Sequence, residues 1–345
     1  MSFDRGRKAL NLEMTDRIPQ VEFIDHDDFT LKIAGVDTRD PVQRPQAWPA
    51  LAHVLDLDMA WNIVELPISG RFTKLGHAEW SETDAKDAET FCPFTSIEDV
   101  LAFDPVAEWG IMEHDEMVKA FQANLDWCKL AYPDTLYPGG RYYSLFSSCI
   151  HAFGWEMFLF AARYDEAAFA RVLDGFAERN LAQIHAWLDT DLKFFLMHDD
   201  IVWTSGPVFP PEWYRKYIFP HYRRFWEPIH AAGKKIVFCA DGNFNEFIGD
   251  IARAGADGFI FEPSTSLETI VRDYGQTHVI VGNADCRVLQ FGAHADIRKE
   301  VERCVRLGRE CPGYFMCATN HLPNGIPTEN VQYYFDVFNE LRNRE

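Results

Sequence analysis

Residues 235–283 read KIVFCADGNFNEFIGDIARAGADGFIFEPSTSLETIVRDYGQTHVIVGN, and their rhythm decides the fold. Three short runs, Lys235–Ala240, Gly258–Glu262 and His278–Asn283, are rich in β-branched and aromatic residues. Between them, Asn243–Ala254 and Ser266–Tyr274 carry apolar residues at helical spacing behind the capping residues Asn243 and Ser266. Strand-like runs alternating with amphipathic helices imply parallel βα units. The pattern extends both ways. Lys193–His198 and Pro211–His230 precede it, and Asp296–Leu307 and Gly313–Ala318 follow. Toward the N-terminus, Arg17–Ile24, Asp58–Leu66 and Gly140–Phe146 add three more strand candidates. Eight parallel strands close a (β/α)8 TIM barrel, so one domain over residues 1–345 is expected. Residues 68–138 exceed any barrel connection. Ile68–Asp84 alternates like a hairpin, while Ser96–Phe103 and Glu113–Ala131 look helical, so this N-terminal-half insertion is expected to cover the barrel mouth as a lid.

Composition narrows the partners. Against 53 acidic residues stand 33 Lys plus Arg, a net charge of −20 that disfavours nucleic acid and anionic membrane surfaces. No apolar run reaches the roughly 18 residues of a membrane span. The start of the chain has no apolar signal segment, and the eight cysteines are scattered, so a cytoplasmic protein is expected. The 28 Phe, 12 Tyr and 10 Trp residues are mostly core, with some left to line a site for a flat ligand.

In such a barrel the chemistry sits where strands end at the C-terminal face. The strand ends carry Glu65, then His198, Asp199 and Asp200, then Cys239 and Asp241, Glu262, Asn283, and finally Cys317, Asn320 and His321. Carboxylates gathered there raise one another's pKa into the range of general acid or base work. Glu65, His198, Asp199, Asp200 and Asp241 are the catalytic candidates, although Glu65 could equally pair with an arginine and Asp200 could cap a helix. Cys239, Glu262, Cys317 and His321 offer thiolate, carboxylate and imidazole, all acceptable to zinc. A buried strand-end cysteine is also a small hydrophobe, which leaves both readings open. Cys92, Cys128, Cys149, Cys286, Cys304 and Cys311 read as structural. Tyr142, Tyr143, Phe146 and Trp203, with Trp155, are aromatics near strand ends, and with Asn283 and Asn320 they form the candidate substrate-binding set.

Several segments taken together resemble the uroporphyrinogen decarboxylase superfamily. They are Asp16-Arg17-Ile18-Pro19, Asp200 ahead of Pro207–Tyr222 with Pro220, Gly282-Asn283-Ala284-Asp285, Gly313-Tyr314 and Pro327-Thr328-Glu329-Asn330-Val331. The resemblance implies a (β/α)8 barrel. True decarboxylases of the superfamily carry an N-terminal arginine motif that holds the substrate's carboxylates. Here Gln20–Asp28 reads QVEFIDHDD, which is acidic. That points to the superfamily's other branch, methyltransferases that work with corrinoid proteins.

The coenzyme M enzymes of that branch bind zinc through His-x-Cys on strand five and a later cysteine. This chain has Val237-Phe238-Cys239, without the histidine. The resemblance therefore implies a first methyltransferase of an O-demethylase system. Such an enzyme moves methyl from a methoxylated aromatic to cobalamin on a partner corrinoid protein, with zinc as a cofactor in reach. An aryl ether is a poor methyl donor, so its oxygen needs a general acid or a Lewis acid. Decarboxylation of a smaller acid, or methyl transfer between methylcobamide and a thiol, is the alternative.

Overall fold

The computed structural model describes residues 2–80, 85–319 and 321–344, with the side chains of 75–80, 85–90 and 319 outside that description. Six parallel strands lie side by side in chain order: β1 Gly139–Arg141, β2 Phe195–His198, β3 Ile236–Ala240, β4 Gly258–Phe261, β5 Val279–Val281 and β6 Tyr314–Phe315. The sheet then returns to its first edge through parallel bridges. Met316, next after β6, pairs with Gln20, Val21 pairs with Met59, and Met59 pairs with Leu136 just ahead of β1. Eight chain segments thus complete the ring, and the expected TIM barrel is the fold.

The first two strand candidates are shorter than their sequences suggest. Asp58 explains part of this. Its buried carboxylate, not a neighbouring carbonyl, accepts the Gln20 amide at 2.9 Å. Arg5 reaches the same carboxylate from the N-terminal helix at 2.5 Å. A side chain has taken the place of a ladder bond, and residues 61–69 leave the sheet altogether.

Period-two alternation sorts the strand residues into two populations. Leu196, Val237, Cys239, Ile260, Val281, Phe315 and Cys317 pack with Val21 and Met59 as one cluster inside the barrel. Phe195, Met197, Ile236, Phe238, Phe259, Phe261, Ile280 and Tyr314 belong to the larger core shared with the helices. The alternation directs His198 inward, two residues beyond Leu196.

The insertion at 68–138 contains the antiparallel pair Lys74–Trp80 and Ala85–Phe91 and the helices Ile97–Leu101, Pro105–Trp109 and His114–Ala131. The antiparallel pair thus runs further along the chain than Ile68–Asp84, and residues 81–84 lie outside the described residues. The three helices pack on Phe146–Tyr164 and Glu166–Leu188. Among the described residues, no helix is long and apolar enough to cross a membrane.

Candidate active site

The centre of the site is His198 at the end of β2. Its Nδ1–H donates to the Tyr142 carbonyl at 3.0 Å, and its Nε2 faces Asp200 Oδ1 at 3.2 Å. Asp241, one residue past β3, donates its backbone amide to the same Asp200 oxygen at 2.8 Å. The Tyr142 ring stacks on the imidazole, 4.1 Å between centroids and 11° from parallel. His198 is buried, whereas the Asp200 side chain is 30% exposed and Tyr142 39%. A sealed imidazole therefore meets the barrel mouth through Asp200 and Tyr142.

Electrostatics fixes its protonation. Burial by itself lowers the His198 pKa. Asp200, the hydrogen bond to it and the nearby Asp241 outweigh burial and lift the pKa to about 9. Asp200 shows the converse. Burial pushes its carboxyl up, but the charge and hydrogen bond of His198 hold it below the usual carboxylate range. At neutral pH the pair is an imidazolium against a carboxylate.

One potential ligand atom from each of His198, Asp200 and Asp241 lies within 4.8 Å of the others. This nitrogen and oxygen set suits a divalent cation, which would replace the Nε2 proton. Proton and metal are exclusive occupants of that nitrogen.

The surrounding polar residues mostly hold loops. Glu65 Oε1 accepts the amides of Tyr142 and Tyr143 at 2.6 and 3.2 Å, and Oε2 faces Arg141 at 3.5 Å. Glu65 thereby fixes the loop whose carbonyl orients His198. Glu262 is buried and accepts the Gly242 amide at 2.9 Å, tying the β3 and β4 loops together. Gly242 has φ +80°, and a Cβ there would lie 2.8 Å from the Val202 carbonyl oxygen, so only glycine fits beneath the Val202–Trp203 hairpin.

Comparison with known proteins bears on this arrangement. A family model described as uroporphyrinogen decarboxylase (URO-D) matches residues 144–341, more than half of the chain. The chain belongs to the uroporphyrinogen decarboxylase family. A uroporphyrinogen decarboxylase of Carboxydothermus hydrogenoformans is 25% identical over 174 residues, 50% of this chain and 48% of that protein. One from Thermus thermophilus is 25% identical over 177 residues, 51% of this chain and 50% of the other. The chain spans about half the length of the curated relatives it matches. A solved structure described as a methyltransferase from Methanosarcina mazei shares the fold, with a TM-score of 0.66 over 98% of both chains at 16% identity.

Against this family background, the structure redistributes the candidate residues. Asp199, expected to donate a proton, is fully buried. It accepts the amides of Leu145 and Phe146 at 3.1 and 3.0 Å, that of Ser147 at 2.6 Å, and the Tyr222 hydroxyl at 2.6 Å. Four donors saturate it as the anchor of the helix Phe146–Tyr164. Phe146 opens that helix instead of ending a strand, and it is core, stacked on Tyr214. Asn283 is a brace. Its Nδ2 donates to the Thr265 carbonyl at 3.1 Å and its Oδ1 accepts from Arg303 at 2.9 Å. Tyr143 stacks on His151, and Trp203 meets Trp155 edge-on, 46% exposed on its hairpin. Asn320 lies outside the described residues.

The four residues expected to hold zinc do not gather into one ligand set. Among the described residues, the group that gathers is the His198 cluster, not Cys239, Glu262, Cys317 and His321. Cys239 and Cys317 belong to the apolar barrel interior. Burial first, then nearby acidic groups, pushes both thiols well above their ordinary pKa, so in the metal-free protein both are protonated. Cys317 Sγ faces Glu22 Oε2 at 3.9 Å, and His321 packs edge-on against Phe23.

The acidic stretch after strand one is also spent structurally. Glu22 accepts from Tyr334 at 2.5 Å and from the Ala318 amide at 3.0 Å, and burial lifts its pKa to about 7. Asp28 pairs with Arg39. Sequence reasoning passed over Arg141, whose outward-facing position in a three-residue strand carries no signal of the ion pair with Glu65.

Proposed function

We propose that this chain moves a methyl group from a methoxylated aromatic to cob(I)alamin carried by a partner corrinoid protein, with His198 supplying the proton that the leaving oxygen needs. The observation that carries this reading is the imidazolium held between the Tyr142 carbonyl and Asp200 at the barrel mouth. Its pKa of about 9 lies close to that of a phenol, about 10, so proton transfer to a departing phenolate is nearly balanced. The methyl carbon passes to the cobalt nucleophile, the C–O electron pair stays on oxygen, and oxygen takes the His198 proton by way of Asp200, giving a neutral phenol. Tyr142 offers a partly exposed ring against which a flat donor can stack. The fold shared with a structure described as a methyltransferase supports the reading. So does the absence, among the described residues 20–28, of an arginine for a substrate rich in carboxylates.

Purified chain, mixed with methoxyarenes and reduced cobalamin, tests this directly. Growth of the methylcobalamin absorbance with stoichiometric release of phenol supports it. No transfer from any methoxyarene, together with CO2 release from a small carboxylic acid, would favour a second reading. That second reading is a decarboxylase of a smaller acid, favoured by the names of the curated relatives. On it, the same imidazolium would protonate the carbanion left behind.

A further inference from the structure

A second pocket lies between the insertion and the barrel's helices, its Leu66 and Pro67 following Glu65 in the chain. It is a cavity of about 260 Å³ lined by Leu66, Pro67, Trp109, Met112, Arg179 and Gln183, among others. Trp109 closes a short helix of the insertion, and Arg179 and Gln183 belong to the helix Glu166–Leu188. Its walls mix apolar side chains with the polar groups of Arg179 and Gln183. Its polar side chains, Arg179 and Gln183, come from one helix.

Gln183 leaves a buried acceptor unused, and Arg179 has no directly paired carboxylate among the described residues. Arg179 is 7% exposed, its Nε donates to the Gly110 carbonyl at 2.8 Å, and its guanidinium lies 5.1 Å from the Trp109 ring centroid. Among the described residues, no carboxylate pairs with it directly. Gln183 is 6% exposed, and its buried Oε1 has no hydrogen-bond partner. Behind Arg179 stands a second guanidinium, Arg141, 4% exposed, whose Nε and one Nη are buried and unpartnered. Glu65 is the carboxylate that faces this pair of arginines, and it already accepts two backbone amides. The adjacent His151, stacked on Tyr143, is driven to about 4 by burial and then by Arg179, so at neutral pH it adds neither charge nor relief. Two buried guanidinium groups thus share one partly occupied carboxylate.

Two buried cations sharing one carboxylate are incompletely neutralised, and an anion arriving in the cavity would complete the neutralisation. Guanidinium matches carboxylate geometry, two N–H groups to two oxygens. The rest of the cavity wants an apolar body. We propose that this pocket binds a small monocarboxylate with a flat apolar body, its carboxylate on Arg179 and its ring between Trp109, Leu66 and Met112. The volume of about 260 Å³ leaves room for a single substituted ring. The site stands apart from the methyl-transfer reading and does not depend on it.

Calorimetric titration of the full chain with benzoate, and with benzamide as the neutral analogue, tests the assignment. Benzoate should bind at least about tenfold tighter than benzamide. Arg179→Gln should erase that preference. Met112→Trp, which fills the cavity and leaves Arg179 in place, should abolish binding of both, while His198→Gln should change neither. Benzoate no tighter than benzamide would overturn the proposal. So would benzoate binding that survives both Arg179→Gln and Met112→Trp, or that is lost in His198→Gln instead. Circular dichroism of each variant separates lost binding from lost fold, and Met112→Trp covers the case in which Arg179→Gln unfolds.

Discussion

Replacing Asp199 separates an anchoring carboxylate from a catalytic one. Its two oxygens accept four hydrogen bonds, three from the backbone at the start of the helix Phe146–Tyr164 and one from Tyr222. All lie in the interior. Asp199→Ala leaves four buried donors without an acceptor, each costing about 1–3 kcal/mol. Water entering the vacated space relieves part of this, so a loss of roughly 4–8 kcal/mol is expected, comparable with a whole domain's stability. Asp199→Asn keeps one oxygen. If that oxygen serves the three donors on Oδ2, the new amide faces the Ser147 N–H, and the change costs about 2–4 kcal/mol once the weaker neutral hydrogen bonds are included. Guanidinium unfolding, with the midpoint moving and the slope unchanged, measures both. Activity per folded molecule in Asp199→Asn should stay within a few-fold of wild type. Variants that keep full stability while losing about a hundredfold or more in rate would show Asp199 to be the acid, and the anchoring argument would fail.

Three further outcomes follow from the same geometry. His198 is raised from 6.5 to about 9, so its contribution is complete below about pH 6.5 and is lost as pH rises through about 9. The gain is about 3 kcal/mol, seen as a stability difference between wild type and His198→Gln that vanishes at high pH, and an imidazole titrating at or below 6.5 by NMR would contradict it. Glu65→Ala frees the amides of Tyr142 and Tyr143, so the Tyr142 carbonyl drifts from His198 and activity falls about tenfold, while Glu65→Gln keeps an acceptor and most of the rate. Equal behaviour of the two variants would remove Glu65 from the account. Cys239 and Cys317 should resist a disulfide reagent at about pH 8 until the chain unfolds, and fast labelling of either in the native state would restore the thiolate reading.

The barrel was legible because its second half is regular. Residues 195–281 alternate strand and helix, and each strand's inward positions follow from period two once Leu196 or Val237 is placed. Of the two capping residues expected, however, only Ser266 caps its helix, while Asn243 Oδ1 accepts from Asn245 and the helix starts at Ile248. The first half obscured itself. Asp58 substitutes a side chain for ladder bonds, and Asp199, distant in sequence, ends β1 early by capping the helix at Phe146. The strand-end rule found the right rim of the barrel but could not rank its residues. Asp199 and Asp200 are adjacent in sequence, yet one faces the backbone and the other the mouth. What separates them is the set of donors that tertiary structure brings to Asp199. The cysteines misled for a related reason. Cys239 and Cys317 do point inward, but among the described residues they do not gather with Glu262 and His321 into one ligand set.

The central claim is that His198 gives its proton to the leaving oxygen. The most direct test compares the rate of methyl transfer to cob(I)alamin by wild type and His198→Gln across donors of graded leaving-group ability. The account predicts a loss of roughly 10²–10⁴-fold for simple methoxyarenes, shrinking toward none for a methyl sulfonium whose leaving group needs no proton. A loss of equal size on every donor, or no loss on any, would contradict it.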